Sequence, residues 1–177
     1  DEALVLNTKG WPIRSISEPD GEKVLRGPRE GFNEALMANL AMLRRKLKTP
    51  DLKLKFRHFG QETKTKACVC WIGRLAKQEV LDELDRRLEK FDLDSALDSN
   101  YLVEYIKDAP LSIFKTVGRT ERPDVVAAKL LEGRVAVFLD GTPEVITVPY
   151  LFIENFQSNE DYYVSYWYAS FFRLLRI

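Results

Sequence analysis

The feature that most limits the fold is a hairpin near the C-terminal end. Val135-Ala136-Val137-Phe138-Leu139 and Glu144-Val145-Ile146-Thr147-Val148 are two runs rich in β-branched residues, separated by Asp140-Gly141-Thr142-Pro143. Asp-Gly between such runs is a strong short-range turn signal, and the Thr-Pro that follows predicts a four-residue loop. Two more extended runs lie upstream. Leu52, Leu54 and Phe56 alternate with Lys53, Lys55 and Arg57, which predicts a half-buried strand with a basic outer face. After a polar turn at 60–64, Ala67 to Ile72 is a more continuously apolar strand.

Helical patterns separate these strands. From Gly31 to Lys48 the apolar residues Phe32, Leu36, Leu40, Leu43 and Leu47 recur at spacings of three and four. The run Arg44-Arg45-Lys46-Leu47-Lys48 complements the negative end of the helix dipole, and Thr49-Pro50 ends the helix. A second helix is predicted over Lys77–Phe91 through Val80, Leu81, Leu84, Leu88 and Phe91, and a short one over Tyr101–Lys107. Pro123 opens a further helix through Val126, Ala127, Leu130 and Leu131, closed by Gly133 at C′. Shorter extended runs, Leu4–Leu6, Ile13–Ser17 and Lys23–Arg26, precede all of these. Strands alternating with helices predict an α/β (α+β) class with mixed β-sheets flanked by helices.

Asp1-Glu2-Ala3-Leu4-Val5-Leu6 resembles Pro143-Glu144-Val145-Ile146-Thr147-Val148, the return strand of the hairpin. The match is six residues long and reads either as coincidence or as a repeat, in which case the chain starts just after an upstream copy of the Phe-Leu-Asp-Gly turn. Asp1 is not Met and no leader-like pattern follows it, so the 177 residues read as a piece of something longer.

Charge and chemistry exclude several functions. Lys plus Arg and Asp plus Glu both number 27. A dedicated nucleic-acid binder carries a basic excess, so no nucleic-acid partner is expected. The balance hides an asymmetry, with +5 over residues 1–66 and −5 over 67–177. The plainer reading is a pair of solvated faces, the other a pair of oppositely charged parts that pack or oligomerise on each other. His58 is the sole histidine, and its place in the period of Leu52, Leu54 and Phe56 predicts a core or boundary position. Cys68 and Cys70 sit two apart on one strand face, which predicts buried free thiols rather than a disulfide or a metal site. No glycine-rich phosphate loop or paired-carboxylate spacing is visible. No enzyme, metal or cofactor is expected.

Two regions remain as candidate sites. Arg26-Gly27-Pro28-Arg29-Glu30-Gly31-Phe32 places two arginines and a glutamate at a glycine–proline corner where a helix is predicted to begin. One reading is a helix start fixing an interdomain corner; the other is a charge-assisted clamp by Arg26, Arg29 and Glu30 on a partner or subdomain. At the C-terminus, Tyr166, Trp167, Phe171, Phe172, Arg173 and Arg176 follow a capping box at 158–161. Aromatics and arginines favour the membrane–water interface, and the alternative is a helix docked on the core.

The Arg26–Phe32 motif opens an ordered series of short motifs. It continues through Asn39-Leu40-Ala41-Met42-Leu43-Arg44-Arg45, Pro50-Asp51-Leu52-Lys53, Thr63-Lys64-Thr65-Lys66, Leu97-Asp98-Ser99-Asn100-Tyr101 and Ala109-Pro110-Leu111-Ser112. Thr120-Glu121-Arg122-Pro123-Asp124, Leu131-Glu132-Gly133-Arg134-Val135-Ala136, Phe156-Gln157-Ser158, Glu160-Asp161-Tyr162-Tyr163 and Leu174-Leu175-Arg176 complete it. With this series the chain resembles the N-terminal soluble domain of GerA-family spore germination receptor A subunits. Cys68-Val69-Cys70 departs from the family, whose strand there is usually aliphatic. The resemblance implies two similarly folded α/β subdomains, the first incomplete here. It implies the remainder of the first and its connecting amphipathic helix over 1–50 and the second over 51–157. A C-terminal helix over 158–177 would lead to a membrane-spanning domain that begins just beyond Ile177. It implies a role in sensing nutrient germinants and transmitting the signal during spore germination. The implied partners are B and C subunits, a homo-oligomer through the A subunit and a small-molecule nutrient germinant. The implied place is the endospore inner membrane, with this domain on the spore-core side. The alternative is a purely structural oligomerisation or subunit-docking domain, with the germinant bound by another subunit. No catalytic or germinant-contact residue carries over.

Overall fold

The structure, a computed structural model, describes residues 15–19, 21–23, 27–96, 98–108, 115–152 and 154. The elements follow the order α1 (Leu36–Lys46), β1 (Leu52–Phe59), β2 (Thr65–Ile72), α2 (Gln78–Leu88), α3 (Ser99–Ile106), β3 (Gly118–Thr120), α4 (Pro123–Leu131), β4 (Val135–Leu139) and β5 (Val145–Val148). The strands form one sheet in the order β1-β2-β4-β5-β3.

The α+β class is as expected, while the sheet is antiparallel at every pairing among the described residues. The one parallel relation that alternating strands and helices produce is present but unpaired. β3, α4 and β4 form a strand–helix–strand unit whose two strands run in the same direction, since each is antiparallel to β5. β5 inserts between them, so the parallel pair never shares hydrogen bonds. The three residues of β3 are too few for any period to reveal, and the sequence reading passed over them.

Helices cover both faces of the sheet. On one face, Leu36, Leu40 and Leu43 of α1 and Val126 and Leu130 of α4 meet Leu52, Cys68, Cys70, Ile72, Ala136, Phe138 and Val145. On the other, Leu84 and Leu88 of α2 and Leu102 and Ile106 of α3 meet Phe59, Ala67, Val69, Val135, Val137, Ile146 and Val148. Every residue of β4 and β5 is therefore buried, which erases the alternation a one-sided sheet shows. Each fully buried side chain of this kind contributes about 1.5–3 kcal/mol.

β1 is one of the two edge strands, and α1 covers only its start. Leu52 is buried, yet Phe56 is 52% exposed and His58 is exposed, so His58 is neither a core nor a boundary residue. The basic face is not free in solvent either. Asp85 of α2 accepts from Lys55 Nζ at 2.6 Å and Arg57 Nη2 at 2.7 Å.

α1 starts later than its pattern suggests. Phe32 is buried with its ring 5.3 Å edge-on from Phe138, but it lies outside the helix. Asn33 forms the turn: its Oδ1 accepts from Ala35 N at 3.0 Å, and Asn39 Nδ2 donates to its carbonyl at 2.5 Å. The first turn of α1 is capped from far along the chain. Asp140 Oδ1, in the hairpin turn, accepts from Leu36 N at 3.0 Å, and Gly141 N donates to the Glu34 carbonyl at 2.8 Å. α4 ends at Gly133 as expected, with φ +86°, where a Cβ would lie 2.6 Å from the Leu75 carbonyl oxygen. Of the short N-terminal runs, Ser15, Ile16 and Ser17 form no strand, and Leu4–Leu6 and Val24–Arg26 lie outside the described residues.

Asp140→Ala removes the cap and is expected to lower stability by about 1 kcal/mol, with Asp140→Asn, which keeps the acceptor, costing less. Urea denaturation midpoints measure both. An unchanged midpoint in Asp140→Ala would show that the hairpin turn does not support α1.

Candidate functional site

The residues that tie the molecule together sit at the two ends of α4. Its N-terminal flank is Thr120-Glu121-Arg122, and Arg122 is 0% exposed, the largest fully buried side chain among the described residues. A guanidinium in such a place requires partners for its charge and its donors. Arg122 Nη2 donates to Asp124 Oδ2 at 2.8 Å and to the Pro28 carbonyl at 3.2 Å, and Nη1 reaches the Glu22 carbonyl at 3.4 Å. Glu22 Oε2 in turn accepts from Thr120 Oγ1 at 2.7 Å and Glu121 N at 3.1 Å. Phe32 N donates to the Glu121 carbonyl at 2.8 Å. The stretch from Glu22 to Phe32 is thereby fastened to the start of α4 by groups on both partners.

A second charged cluster lies at the other end of α4. Glu154 accepts from Lys129 Nζ at 3.1 Å, from Leu151 N at 2.7 Å and from Arg134 Nη1. All three charged side chains are nearly buried, with Glu154 at 7% exposure. Burial works against the carboxylate, but the Leu151 N–H, Lys129 and Arg134 outweigh it and hold Glu154 below the usual carboxylate range. Lys129 Nζ also donates to Thr147 Oγ1 at 3.2 Å and lies 5.1 Å from the centre of the Tyr150 ring. Gly118 makes room for this ammonium, since a Cβ there would meet Lys129 Nζ at 2.9 Å and Thr147 Oγ1 at 2.4 Å.

The predicted clamp residues are distributed differently from the expectation. Glu30 does not stand at a helix N-terminus. It pairs with Arg45 and, at 3.3 Å, with Lys46 in the last turn of α1, and Arg45 above all holds its carboxyl below the usual range. Arg29 points outward, its side chain 75% exposed and 4.0 Å from Glu18. Arg26 lies outside the described residues, as do Tyr166, Trp167, Phe171, Phe172, Arg173 and Arg176. Arg122, Glu22 and Glu154 were not singled out as site residues. Arg122 stood in a quoted motif, but only the folded chain shows it to be buried.

Cys68 and Cys70 are buried free thiols, as predicted, with sulfurs 3.7 Å apart beneath α1. Burial pushes the Cys70 thiol well above its ordinary value, which leaves it a poor nucleophile. Among the described residues, no group of three or more His, Cys, Asp or Glu side chains is placed to hold a metal. Among the same residues, no helix is long and apolar enough to cross a membrane.

Arg122→Ala leaves Asp124 and two backbone carbonyls short of a buried donor and is expected to cost about 3–5 kcal/mol. Arg122→Lys keeps the charge but not the fork and should fall between it and the parent. Chemical denaturation, with limited proteolysis near residues 22–32, measures both. Parent-like stability in Arg122→Ala would refute the junction.

Comparison with known proteins agrees with this architecture. The family described as Bacillus/Clostridium GerA spore germination protein matches residues 1–177. Spore germination protein KA of Bacillus subtilis (strain 168) is 45% identical over 177 residues, covering 100% of this chain and 32% of that protein. Spore germination protein B1 of the same organism is 41% identical over 173 residues, covering 98% of this chain and 36% of that protein. The chain thus spans about a third of the length of the curated relatives it matches. A crystal structure of the N-terminal domain of the A subunit of the Bacillus megaterium spore germinant receptor GerK3 superposes with a TM-score of 0.55 at 46% identity. That likeness covers 69% of this chain and 97% of the crystallised one. The chain belongs to the GerA family of spore germination proteins.

Proposed function

We propose that this chain is the N-terminal domain of a nutrient germinant receptor A subunit, and that it passes a germinant-dependent change toward a membrane domain beyond Ile177. The receptor would contain B and C subunits and lie in the spore inner membrane, with this domain on the spore-core side. The supporting observation is the double attachment of α4. Arg122 at its start holds residues 22–32, and Lys129 near its end holds Glu154, the last described residue before the C-terminal stretch. A nine-residue helix is short and stiff, so a displacement at one end reaches the other with little loss.

The test is made in spores carrying the full-length protein. Glu154→Gln keeps the shape and removes the charge that Lys129 and Arg134 hold, so nutrient-triggered loss of optical density should slow at least about 5-fold at equal receptor accumulation. An unchanged rate would overturn the relay.

The exposed guanidinium of Arg29 favours a second reading, in which this domain docks other subunits while the germinant binds elsewhere. On that reading Arg29→Glu abolishes co-purification of the B and C subunits while the domain stays folded. Intact assembly in Arg29→Glu would remove it.

A further inference from the structure

A cleft opens on the α2–α3 side of the sheet, away from both charged junctions of α4. Val80 and Leu84 of α2, Ile106 of α3, and Val148 and Pro149 at the end of β5 form its floor, and its volume is about 260 Å³. Cavities that hold drug-sized ligands run from roughly 300 to 1,000 Å³, so this one suits a smaller molecule. The floor is apolar, and the rim is polar and unevenly charged. Glu79, Glu83 and Asp108 bring three carboxylates, and Arg87 is the single cation among the lining residues.

Arg87 is already shared between two carboxylates and a carbonyl, which take three of its five N–H donors. Nε donates to Glu83 Oε1 at 2.7 Å, Nη2 meets Asp108 Oδ1 at 2.5 Å, and Nη1 donates to the Ile106 carbonyl. Glu83 also receives both donors of Arg86, at 2.8 and 2.6 Å, and its carboxyl is held at about 2, so it stays ionised. Glu79 differs from these. It lies in the first turn of α2, exposed on the rim, and forms no hydrogen bond or ion pair among the described residues. The rim therefore carries excess negative charge, with one carboxylate uncommitted above an apolar floor.

We propose that this cleft binds a small monoamine with an apolar body, its ammonium on Glu79 and its hydrocarbon part against Val80, Leu84, Ile106 and Val148. A carboxylate on the ligand would meet the unpaired charge of Glu79, while the charge of Arg87 is already shared between Glu83 and Asp108. The site selects against acids as well as for amines. The proposal stands apart from the relay through α4, and the germination assay and the binding assay can fail separately.

Phenethylamine, 2-phenylethanol and 3-phenylpropionate share a ring and a two-carbon spacer and differ in charge. Each is titrated into the chain while the methyl resonances of Val80, Leu84, Ile106 and Val148 are followed by NMR. The amine is expected to shift them saturably, with the alcohol bound roughly 3- to 5-fold more weakly and the acid more weakly still. Glu79→Gln, an exposed substitution, should bring the amine down to the affinity of the alcohol and leave the alcohol unchanged. Added salt should weaken only the amine. The proposal is overturned by an absence of saturable shifts. Equal binding of amine and acid overturns it too, and so does an amine affinity indifferent to Glu79→Gln.

Discussion

Burial of the Arg122 guanidinium is the interaction on which the rest of the structure depends. A charge so placed is tolerated only when it is paired and hydrogen-bonded, and here the acceptors come from two separate stretches of chain. The Pro28 and Glu22 carbonyls belong to the N-terminal segment and Asp124 to the first turn of α4. With the segment so fixed, Phe32 enters the core against Phe138, and Asn33 turns the chain into α1. The hairpin turn then supplies the cap that α1 lacks locally. Each step requires the one before it in space, although the residues are far apart in sequence.

Coverage of the sheet on both faces has a second consequence. The central strands carry apolar residues on both sides, while the edge strand β1 keeps charges that suit its exposure. Lys55 and Arg57 do more than guard an edge, because Asp85 ties them to α2. The charge asymmetry between the first 66 residues and the rest has a matching physical expression. Lys55 and Arg57 with Asp85 cross that boundary.

The structure separates holding from binding. Arg122 is paired with Asp124 and backbone carbonyls, and Lys129 and Arg134 are paired with Glu154, so these buried charges serve to hold the chain. The cleft beside α2 has an apolar floor and one uncommitted carboxylate, which suits it to receiving a ligand. α2 and α3 supply that cleft, while α4 and α1 lie across the sheet from it.

Much of the fold was legible in local pattern. The spacing of Leu36, Leu40 and Leu43, the runs on either side of Asp140-Gly141, and Gly133 after α4 each announced an element, because period and turn chemistry are properties of neighbours in the chain. The paired thiols followed in the same way from alternation along a strand. The start of α1, the exposure of Phe56 and His58, and the three-residue β3 did not follow, since each depends on which surface another element happens to cover. The candidate site was least legible of all. Arg29 and Glu30 drew attention as charges at a corner, yet the residue that holds that corner is Arg122, some ninety positions downstream. Sequence alone thus determined the helices, the hairpins and the family. Only the tertiary structure decided which charges are buried, because the cost of removing a charge from water depends on what surrounds it in space.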